Sequence, residues 1–310
     1  MADGLWRKAI PEGRDRMQSR VLVWVVGSLL VWMSAITLQR YYLTCHSWYI
    51  APLEPLPVTI LATVGISMAF AALVLALRAA TIAGAIFGGM ICLVLMNGTD
   101  SWEYTIVRSG LVPLASLFVL TFLATRAGRR GKTEAGLAEG RRGRSASQVI
   151  ANLSIASLSV SYLGLAVISG GTGPFMGSMF KIPMMLMCLA ALAEATADTV
   201  SSEIGQAFGG TPVMLVSLKR VAAGTDGAIT LLGTVAGAVG GCVVAIVGAW
   251  AMHLHAREAW VAAGAGVAGL FFDSLLGATV ERRGWVGNDL VNFSSTAFAA
   301  ILALAWSMIY

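Results

Sequence analysis

The sequence predicts an all-α fold: a polytopic helical membrane protein with about nine transmembrane helices. Its 310 residues are 57% hydrophobic and only 12% charged, with a mean hydropathy of +0.78. A soluble domain carries about twice that charged fraction. The apolar residues gather into stretches of about 17 to 25 residues, the length of a helix that crosses a bilayer. These stretches lie near 21–38, 58–77, 79–96, 109–125, 149–169, 182–198, 228–251, 260–280 and 290–308.

The basic residues predict the orientation of the chain in the membrane. If the N-terminus is cytoplasmic, 17 of the 21 Lys and Arg residues fall on the cytoplasmic side, and only Arg40, Arg108, Lys181 and Arg257 fall on the other. Cytoplasmic loops carry such an excess of Lys and Arg. The net charge of +5 therefore reflects topology and contact with anionic membrane lipids, and it does not imply nucleic acid as a partner.

A polar segment at 126–147, rich in Gly and Arg, divides the chain. We expect it to be a basic cytoplasmic loop that is flexible or lies along the lipid headgroups. Residues 1–125 before it form a four-helix membrane segment, whose first helix is a retained anchor because its apolar core is too long for a signal peptide. Residues 148–310 after it form a five-helix region, which holds most of the notable polar residues and is expected to be catalytic.

The C-terminal region suggests an internal repeat. One span ends in Asp198-Thr199 and is followed by GTDG at 224–227, and a later span carries Asp273-Ser274 and is followed by GNDL at 287–290. Both units would start on the same side of the membrane, so the repeat would be parallel. The matching segments are short, and chance similarity is the alternative.

Three acidic residues stand within the sequence AEATADTVSSEIG at 193–205, directly after a long apolar run. A carboxylate at membrane depth is destabilising by about 3 kcal/mol or more unless it is paired, protonated or hydrated. Residues four apart share one helix face, so Glu194, Asp198 and Ser202 form one line. Glu203 lies about 140° around the helix from Asp198. Either the helix breaks or bends between them, or Glu203 faces the aqueous side alone.

The predicted topology brings further polar residues to the same membrane face. Arg144, Gln148 and Asn152, spaced four apart, form either an anion-positioning stripe or a snorkelling arginine with two amides that satisfy helix contacts. Asp273 lies about 12 Å deeper, at 1.5 Å per residue. The other residues at this face are Ser201, Ser202, Lys219, Arg220, Asp226, Glu281, Asn288, Asp289 and Asn292.

This combination of residues suits metal-assisted chemistry on phosphates. Mg²⁺ takes oxygen ligands such as carboxylates and keeps several waters. Lys and Arg side chains and glycine-flanked turns bind phosphate oxygens. Carboxylates that hold magnesium beside cations that hold phosphates are typical of phosphoryl or nucleotidyl transfer. The stretch TPVMLVSLKRV at 211–221 alternates weakly, which suggests a short strand or an interfacial segment that delivers Lys219.

Four motifs occur in order over roughly residues 144–300: SQVIANL, AEATADTVSSEIG, KRVAAGTDGAITLLGTVAG and DSLLGATVERRGWVGNDLVNFSST. Together they resemble the family of integral membrane proteins that contains transmembrane protein 19 and plant phytyl-phosphate kinase. The resemblance implies addition of a second phosphate to an isoprenyl monophosphate, although most members of that family have no assigned activity.

A more distant resemblance is to the dolichol and phytol kinase group, which uses CTP to phosphorylate long-chain isoprenoid alcohols. That group carries a D-x-x-A-S-x-x-G-x-x-F-G segment followed by a Lys and a G-[ST] turn. The residues that stand here in the same order are Asp198, Ser202, Gly205, Phe208, Gly209, Lys219, Gly224 and Thr225.

The residues and the resemblance together lead to one hypothesis. The chain is expected to be a membrane-embedded phosphotransferase that uses Mg²⁺ and CTP, or another nucleoside triphosphate, on an isoprenoid phosphate or alcohol at the cytoplasmic face. The predicted catalytic residues are Asp198, Glu203, Lys219, Asp226 and Asp273, and the predicted metal ligands are Asp198, Asp273 and Asp289. The predicted nucleotide- and phosphate-binding residues are Arg144, Gln148, Asn152, Ser202, Lys219, Gly224, Thr225, Asp226 and Gly227. The predicted substrate-binding residues are Glu194, Asn288, Asp289 and Asn292.

Two other classes of function stay open at this stage. An ion-coupled transporter would also use intramembrane acids, interrupted helices and a repeat. A transporter needs its acids near the midplane, whereas here only Asp273 and Glu194 lie inward. A non-catalytic scaffold is the third class. The sequence does not indicate the oligomeric state.

Overall fold

The computed structural model describes residues 10–50, 58–99, 106–137, 143–169 and 177–309. Within these ranges the chain is almost entirely helical, and its two strands are two residues long each. The prediction of an all-α membrane fold is therefore confirmed. Arg7, Lys8, Arg141 and Arg142, which were counted for the orientation, lie outside the described residues.

The helices and strands follow one another along the chain in a simple order. The helices are α1 Glu12–Ile50, α2 Val58–Ala76, α3 Ile82–Gly98, α4 Leu111–Arg126, α5 Arg129–Glu134, α6 Ala146–Ser159, α7 Tyr162–Ile168, α8 Gly177–Phe208, α9 Leu231–Ala251, α10 Ala256–Leu276 and α11 Asn288–Ile309. A 3₁₀ turn at Ile106–Arg108 precedes α4, and a π-helical turn at Gly277–Glu281 extends α10. The antiparallel strands β1 Val213–Met214 and β2 Ala228–Ile229 lie between α8 and α9.

In the part of the chain that the structure describes, five helices are long and apolar enough to cross a membrane: α1, α8, α9, α10 and α11. Three apolar helices are shorter, at Ile60–Ala76, Ile82–Gly98 and Leu111–Arg126. Helices α6 and α7 bend by 63° at the break between them, so the stretch predicted at 149–169 is a broken span or a re-entrant pair. Every predicted stretch thus coincides with an apolar helix or a broken helix pair, and the number of nine crossings stays a prediction.

Helix α8 is the centre of the bundle, and it carries the acidic motif at one end. Its most apolar stretch is 67% buried, against 39–44% for the other long helices. It packs against α4, α6, α9, α10 and α11. All side chains from Leu189 to Ala193 are fully buried, as expected for a helix that is apolar on every face. The surrounding helices therefore determine what the polar end of α8 can contact.

A line of glycines brings α9 close to α8. Gly233, Gly237 and Gly241 are spaced four apart and so lie on one face of α9. A Cβ atom at Gly233 would lie 2.5 Å from the Ser201 carbonyl oxygen, and one at Gly237 would lie 2.7 Å from the Ser201 Cβ. Small residues at this spacing allow close approach of helix backbones in membranes. The opposite face of α9 exposes large apolar side chains, as a lipid-facing surface does.

The start of α1 is joined to the segment that precedes α11. The Gln18 amide donates to the Trp285 carbonyl at 2.8 Å and accepts the Gly287 N–H at 2.8 Å. Ser19 donates to a carboxylate oxygen of Asp289 at 2.6 Å. These bonds connect the N-terminal four-helix segment to the C-terminal region.

The polar segment at 126–147 is partly helical where the structure describes it, so that part is not the flexible loop that was one of the two expectations. Helix α5 forms within it, and Lys132 on α5 is only 2% exposed. Gly128 has a φ of 61°, and a Cβ atom there would lie 2.6 Å from the Ala207 Cβ at the end of α8. A lysine that pairs with an acid of another helix is indistinguishable in sequence from a solvated cation, so the sequence did not predict this packing.

Substitution of Gly237 by Val tests the glycine contact. The added side chain would overlap α8, and such overpacking destabilises a protein by about 1–3 kcal/mol. We expect a lower thermal unfolding midpoint in detergent. The matched control is Gly264→Val in α10, where nothing lies within 4 Å of an added Cβ atom. Equal midpoints for the two variants would contradict close α8–α9 packing.

Candidate functional site

A polar cavity of about 270 Å³ lies at one end of the bundle. It forms where the ends of α8 and α10 meet the starts of α6, α9 and α11. All of the predicted site residues except Glu194, Lys219 and Asp289 line it. The lining residues among them are Arg144, Gln148, Asn152, Asp198, Ser202, Glu203, Gly224, Thr225, Asp226, Gly227, Asp273, Asn288 and Asn292.

Two carboxylates from neighbouring helices meet in the cavity wall. Asp198 on α8 and Asp273 on α10 are both half-buried, and their side chains interact with each other. The Ser295 hydroxyl donates to Asp273 at 3.3 Å. Since the two acids lie on different helices, their separation depends on how closely α8 and α10 pack.

Glu194 lies one helical turn deeper than Asp198 and does not line the cavity. Its side chain is 1% exposed and lies against Gly269 of α10, where the missing Cβ leaves room for it. It interacts with Asp198 and Ser295, and its Oε1 atom has no hydrogen-bond partner in the part of the chain that the structure describes. Glu194 therefore lies deeper in the bundle than the Asp198–Asp273 pair, and its position does not indicate direct contact with a substrate.

Glu281 also lines the cavity, and its carboxylate interacts with Asp273. Sequence reasoning placed it at this membrane face but not among the site residues. On a regular helix, eight residues would leave Glu281 about 80° away from Asp273. The π-helical turn accommodates one extra residue, which brings Glu281 back to within about 20° of Asp273. A π turn has no clear sequence signal, so a prediction based on the regular helical period did not select this residue.

Backbone hydrogen bonds hold Arg144 at the cavity. Its N–H donates to the Ala79 carbonyl and its carbonyl accepts the Thr81 N–H, both at 2.9 Å. Its guanidinium donates to the Thr199 hydroxyl at 3.2 Å and interacts with the Asp198 carboxylate. Arg144 is thereby fixed beside the acid pair.

The amides predicted as a stripe line the cavity at the start of α6. Ser145 and Gln148 form a capping box: the Gln148 N–H donates to the Ser145 hydroxyl at 3.2 Å, and the Ser145 N–H donates to the Gln148 side chain at 2.8 Å. Asn152 donates to the Gln148 carbonyl at 2.8 Å and accepts from the Asn292 amide at 3.4 Å. These amides therefore satisfy helix contacts, as one interpretation held, and they also line the cavity, while the anion-positioning role stays a prediction.

The turn GTDG at 224–227 closes the cavity beside α9. Gly224 and Gly227 have φ angles of 84° and 72°, in the left-handed region that favours glycine. A Cβ atom at Gly227 would lie 2.5 Å from the Ser274 carbonyl oxygen. One at Gly277 would lie 2.7 Å from the Gly227 nitrogen. These close approaches fix the turn against the end of α10, the helix that carries Asp273.

Three helices begin at the cavity, a feature that sequence reasoning did not identify. Gln148 in the first turn of α6, the N-cap residue Thr230 of α9, and Asn288 at the start of α11 all line the cavity. Helix starts carry the positive end of the macrodipole, which favours anions. Capping side chains accept from the N–H groups of Gln148 and Gly233, and the other first-turn N–H groups have no partner within their own helix. The convergence depends on three helices starting at one level, so no single stretch of sequence indicates it.

Glu203 lines the cavity and forms a buried ion pair with Lys132, a residue that sequence reasoning did not select. Lys132 also donates to the Thr125 carbonyl at the end of α4, at 3.0 Å. Helix α8 is continuous through this region, so no break separates Asp198 from Glu203, and the ion pair with Lys132 shows that Glu203 does not face the aqueous side alone. Both acids line the cavity because it extends around the end of α8.

Two predicted residues lie away from the cavity. The strand expected within 211–221 does form, with Val213 paired to Ile229, but Lys219 beyond it is exposed and does not line the cavity. Asp289 accepts the hydrogen bond from Ser19 of α1. The positions of these two residues do not support the phosphate-binding and metal-binding roles predicted for them.

The donor set of the cavity fits Mg²⁺ in company with a phosphorylated ligand. Among the described residues, no cluster of three or more His, Cys, Asp or Glu side chains is arranged to hold a metal. Magnesium, however, is usually bound by one or two carboxylates together with substrate phosphates and water. The carboxylates that line the cavity also outnumber Arg144, so a polyphosphate would be repelled unless a cation neutralises them. The lining carboxylates are Asp198, Glu203, Asp226, Asp273 and Glu281.

The residues that line the cavity lie within the part of the chain that matches a family of membrane proteins. The family described as integral membrane protein DUF92 matches residues 65–300. Protein VTE6, a chloroplastic protein of Arabidopsis thaliana, is 29% identical over 210 residues, which is 67% of this chain and 61% of the plant protein. An uncharacterized membrane protein of Methanocaldococcus jannaschii is 31% identical over 63% of this chain and 74% of its own length. An uncharacterized membrane protein of Synechocystis sp. is 28% identical over 67% of this chain and 77% of its own length. No solved structure matches the chain significantly.

Substitution of Lys132 by Met tests the link between α5 and the cavity. It leaves the Glu203 carboxylate without its partner, and loss of one member of a buried pair destabilises by about 3–5 kcal/mol when both members are fully enclosed. Glu203 borders the cavity, so we expect a smaller loss, with faster trypsin cleavage after Arg129 and Arg130. The double variant Lys132→Met/Glu203→Gln should regain part of the thermal stability. The exposed neighbour Arg130→Met is the control for lost charge, and equal behaviour of the two single variants would contradict a structural ion pair.

Proposed function

The chain belongs to the DUF92 family of integral membrane proteins, and we propose that it is a membrane-embedded kinase that transfers a phosphoryl group from a nucleoside triphosphate to an isoprenoid phosphate. The observation that carries the proposal is the cavity where paired carboxylates, a fixed arginine and three helix starts meet. The motifs that resemble the phytyl-phosphate kinase family supply the substrate class. All four of those motifs contribute residues to this cavity.

The anion-binding groups would hold the phosphates of the donor. Arg144 offers a planar guanidinium with several donors, which suits phosphate oxygens. The starts of α6, α9 and α11 add N–H groups and positive macrodipole ends. The GTDG turn lets the backbone approach a ligand closely, because Gly224 and Gly227 carry no side chain.

Asp198 and Asp273 would hold Mg²⁺ together with the donor phosphates. When bound, the ion supplies charge neutralisation for the phosphoryl group in transfer. Glu281 adds negative charge to the surrounding wall, whereas Lys132 offsets the charge of Glu203. A cavity with this excess of acids binds a polyphosphate only as a metal complex, and that requirement favours metal-nucleotide chemistry over simple anion binding.

The acceptor would approach with its phosphate beside Asn292 and Asn288 and its lipid chain among the helices. An oxygen of the acceptor phosphate attacks the γ-phosphorus, the bond from that phosphorus to the bridging oxygen breaks, and the products are an isoprenyl diphosphate and a nucleoside diphosphate. The acceptor oxygen is already anionic at neutral pH, so no general base is required. An alcohol acceptor would have to lose a proton in the same step, and a lining carboxylate such as Asp226 would be needed to accept it.

The preference for CTP and the cytoplasmic location of the cavity belong to the same proposal. CTP is suggested by the resemblance to the dolichol and phytol kinase group. The cytoplasmic side is suggested by the distribution of Lys and Arg, and it would give the cavity access to cellular nucleotides. Against the alternative of an ion-coupled carrier stands the position of Glu194, which is buried beneath the cavity and does not extend it toward the midplane.

An assay of the purified protein tests the proposal directly. We expect transfer of labelled γ-phosphate from CTP, or from ATP at a lower rate, to phytyl or another prenyl monophosphate in detergent micelles. Removal of divalent metal with EDTA should abolish transfer, and added Mg²⁺ should restore it. If a panel of prenyl monophosphates and alcohols yields no labelled lipid, while vesicles show proton-coupled uptake, the carrier alternative is correct.

Substitution of Asp198 by Asn tests the metal assignment. The amide has the same shape but no charge, so we expect transfer to fall by about 100-fold or more while the thermal midpoint stays within a few degrees. The matched control is Glu134→Gln on α5, an exposed carboxylate that does not line the cavity. Full activity of the Asp198→Asn protein would show that its carboxylate does not hold the metal.

A further inference from the structure

The connection between β1 and β2 carries an exposed tip whose composition is unusual for an aqueous loop. The tip comprises residues 216–220, with the sequence VSLKR, and every residue in it is exposed. Val216 is 53% exposed and Leu218 is 76% exposed. Large exposed apolar side chains beside two cations are typical of protein segments that bind a membrane or another protein.

The tip is a defined structure with its apolar side chains held outward. The Met214 N–H donates to the Lys219 carbonyl at 2.9 Å, and the Leu218 N–H donates to the Met214 carbonyl at 2.8 Å. Leu218 has a φ of 52°, a conformation that bulky side chains rarely adopt. Such strain persists only where the surrounding structure imposes it, and it often marks a functional position. Here it presents an exposed leucine at the point of the turn.

The charges around the tip complement an anionic surface. Lys219 and Arg220 have no ion-pair partner among the residues that the structure describes. Arg282, in the segment after α10, donates to the Met214 sulfur at 3.6 Å and so brings a third cation to the base of the tip. Arg283 stacks on Trp285, a 57% exposed aromatic side chain. Tryptophan and basic residues together are enriched at the headgroup level of membranes.

The strand pairing places the tip near the membrane boundary. Val213 pairs with Ile229, two residues before Leu231, where the apolar helix α9 begins. Leu231 is 83% exposed, as expected for a residue that faces lipid at the start of a span. Neighbouring strands are about 4.8 Å apart, so β1 lies close to the level at which α9 enters the bilayer.

We propose that the tip inserts into the leaflet that surrounds the cavity, with Val216 and Leu218 among the upper acyl chains and Lys219 and Arg220 on anionic lipid headgroups. The occupant of this surface is thus the membrane itself, and its chemistry is that of a phosphate-bearing anionic lipid. The proposal also explains why Lys219 does not line the cavity. Its cation neutralises lipid phosphates outside the cavity.

The tip and part of the cavity wall belong to one segment, the one between α8 and α9, and this gives the insertion a consequence. Pro212 on one side of the tip and the GTDG turn on the other both line the cavity. Insertion of the tip would hold the cavity mouth at the headgroup level, where a lipid phosphate resides. This consequence rests on the proposed function, whereas the insertion itself does not.

Fluorescence quenching in vesicles tests the insertion without any assay of turnover. The full-length protein, with its native cysteines replaced, carries an environment-sensitive label at Leu218→Cys. It is reconstituted into phosphatidylcholine vesicles with or without phosphatidylglycerol, each containing lipids spin-labelled on the upper part of the acyl chain. The matched control is the same label at Thr211→Cys, an exposed position just before β1 and outside the tip. We expect a blue-shifted, strongly quenched label at 218 and a weakly quenched label at 211.

The same experiment also tests the contact of Lys219 and Arg220 with anionic headgroups. Quenching at 218 should increase with phosphatidylglycerol, and Lys219→Gln/Arg220→Gln should remove that increase. Equal quenching at 218 and 211 would overturn the insertion. If the label at 218 is unquenched in vesicles that contain no other protein but is blue-shifted in native membranes, the tip binds a protein partner instead. Insertion that is indifferent to anionic lipid would overturn the headgroup contact.

A kinetic comparison separates this proposal from the proposed kinase activity. Leu218→Ser should reduce transfer to a long-chain prenyl phosphate in vesicles while it leaves transfer to a short-chain acceptor in detergent unchanged. If neither acceptor is phosphorylated by the wild-type protein, the kinase proposal fails and the quenching result still decides the insertion. If Leu218→Ser reduces both reactions equally, the tip does not act through the membrane.

Discussion

The site depends on one constraint: the acidic end of α8 is enclosed by other helices, so its carboxylates must find partners within the bundle. Charges withdrawn from water are strongly destabilised unless they are paired or neutralised. The protein meets this requirement in three ways. Lys132 pairs with Glu203, Arg144 neutralises part of the charge near Asp198, and the remaining acids face a polar cavity that can admit a cation. The enclosed excess of acids therefore destabilises the fold, and it also gives the cavity its ability to bind a cation.

Close helix packing makes that arrangement possible. The glycines of α9 let its backbone lie against α8, and the glycine at 269 of α10 leaves room for Glu194 beneath the acid pair. The glycines of the 224–227 turn then seal the loop onto the end of α10. Small residues in membrane helices are commonly a means of association. In this protein they also set the distance between the two helices that carry Asp198 and Asp273.

The sequence predicted the all-α fold because apolar stretches and the positive-inside bias are strong signals in membrane proteins. Most of the site residues chosen from it also line the cavity. Prediction from the sequence failed where the outcome depends on contacts between distant segments. Lys132 in a polar segment gave no sign that it would be buried, and Lys219 gave no sign that it would turn outward. Glu281 was missed because a π turn changes the helical period. Asp289, chosen for its charge, is held by α1, a helix with no sequence link to the motif.

The proposed activity requires Asp198 and Asp273 to hold a divalent ion jointly against the phosphates of a nucleotide. The most direct test is electron paramagnetic resonance of Mn²⁺, in place of Mg²⁺, bound to the purified protein with a non-hydrolysable CTP analogue. The account predicts a bound ion with phosphorus hyperfine couplings in the wild-type protein, and loss of that signal in an Asp198→Asn/Asp273→Asn protein that is still folded. A bound ion with unchanged couplings in the double variant would contradict the account.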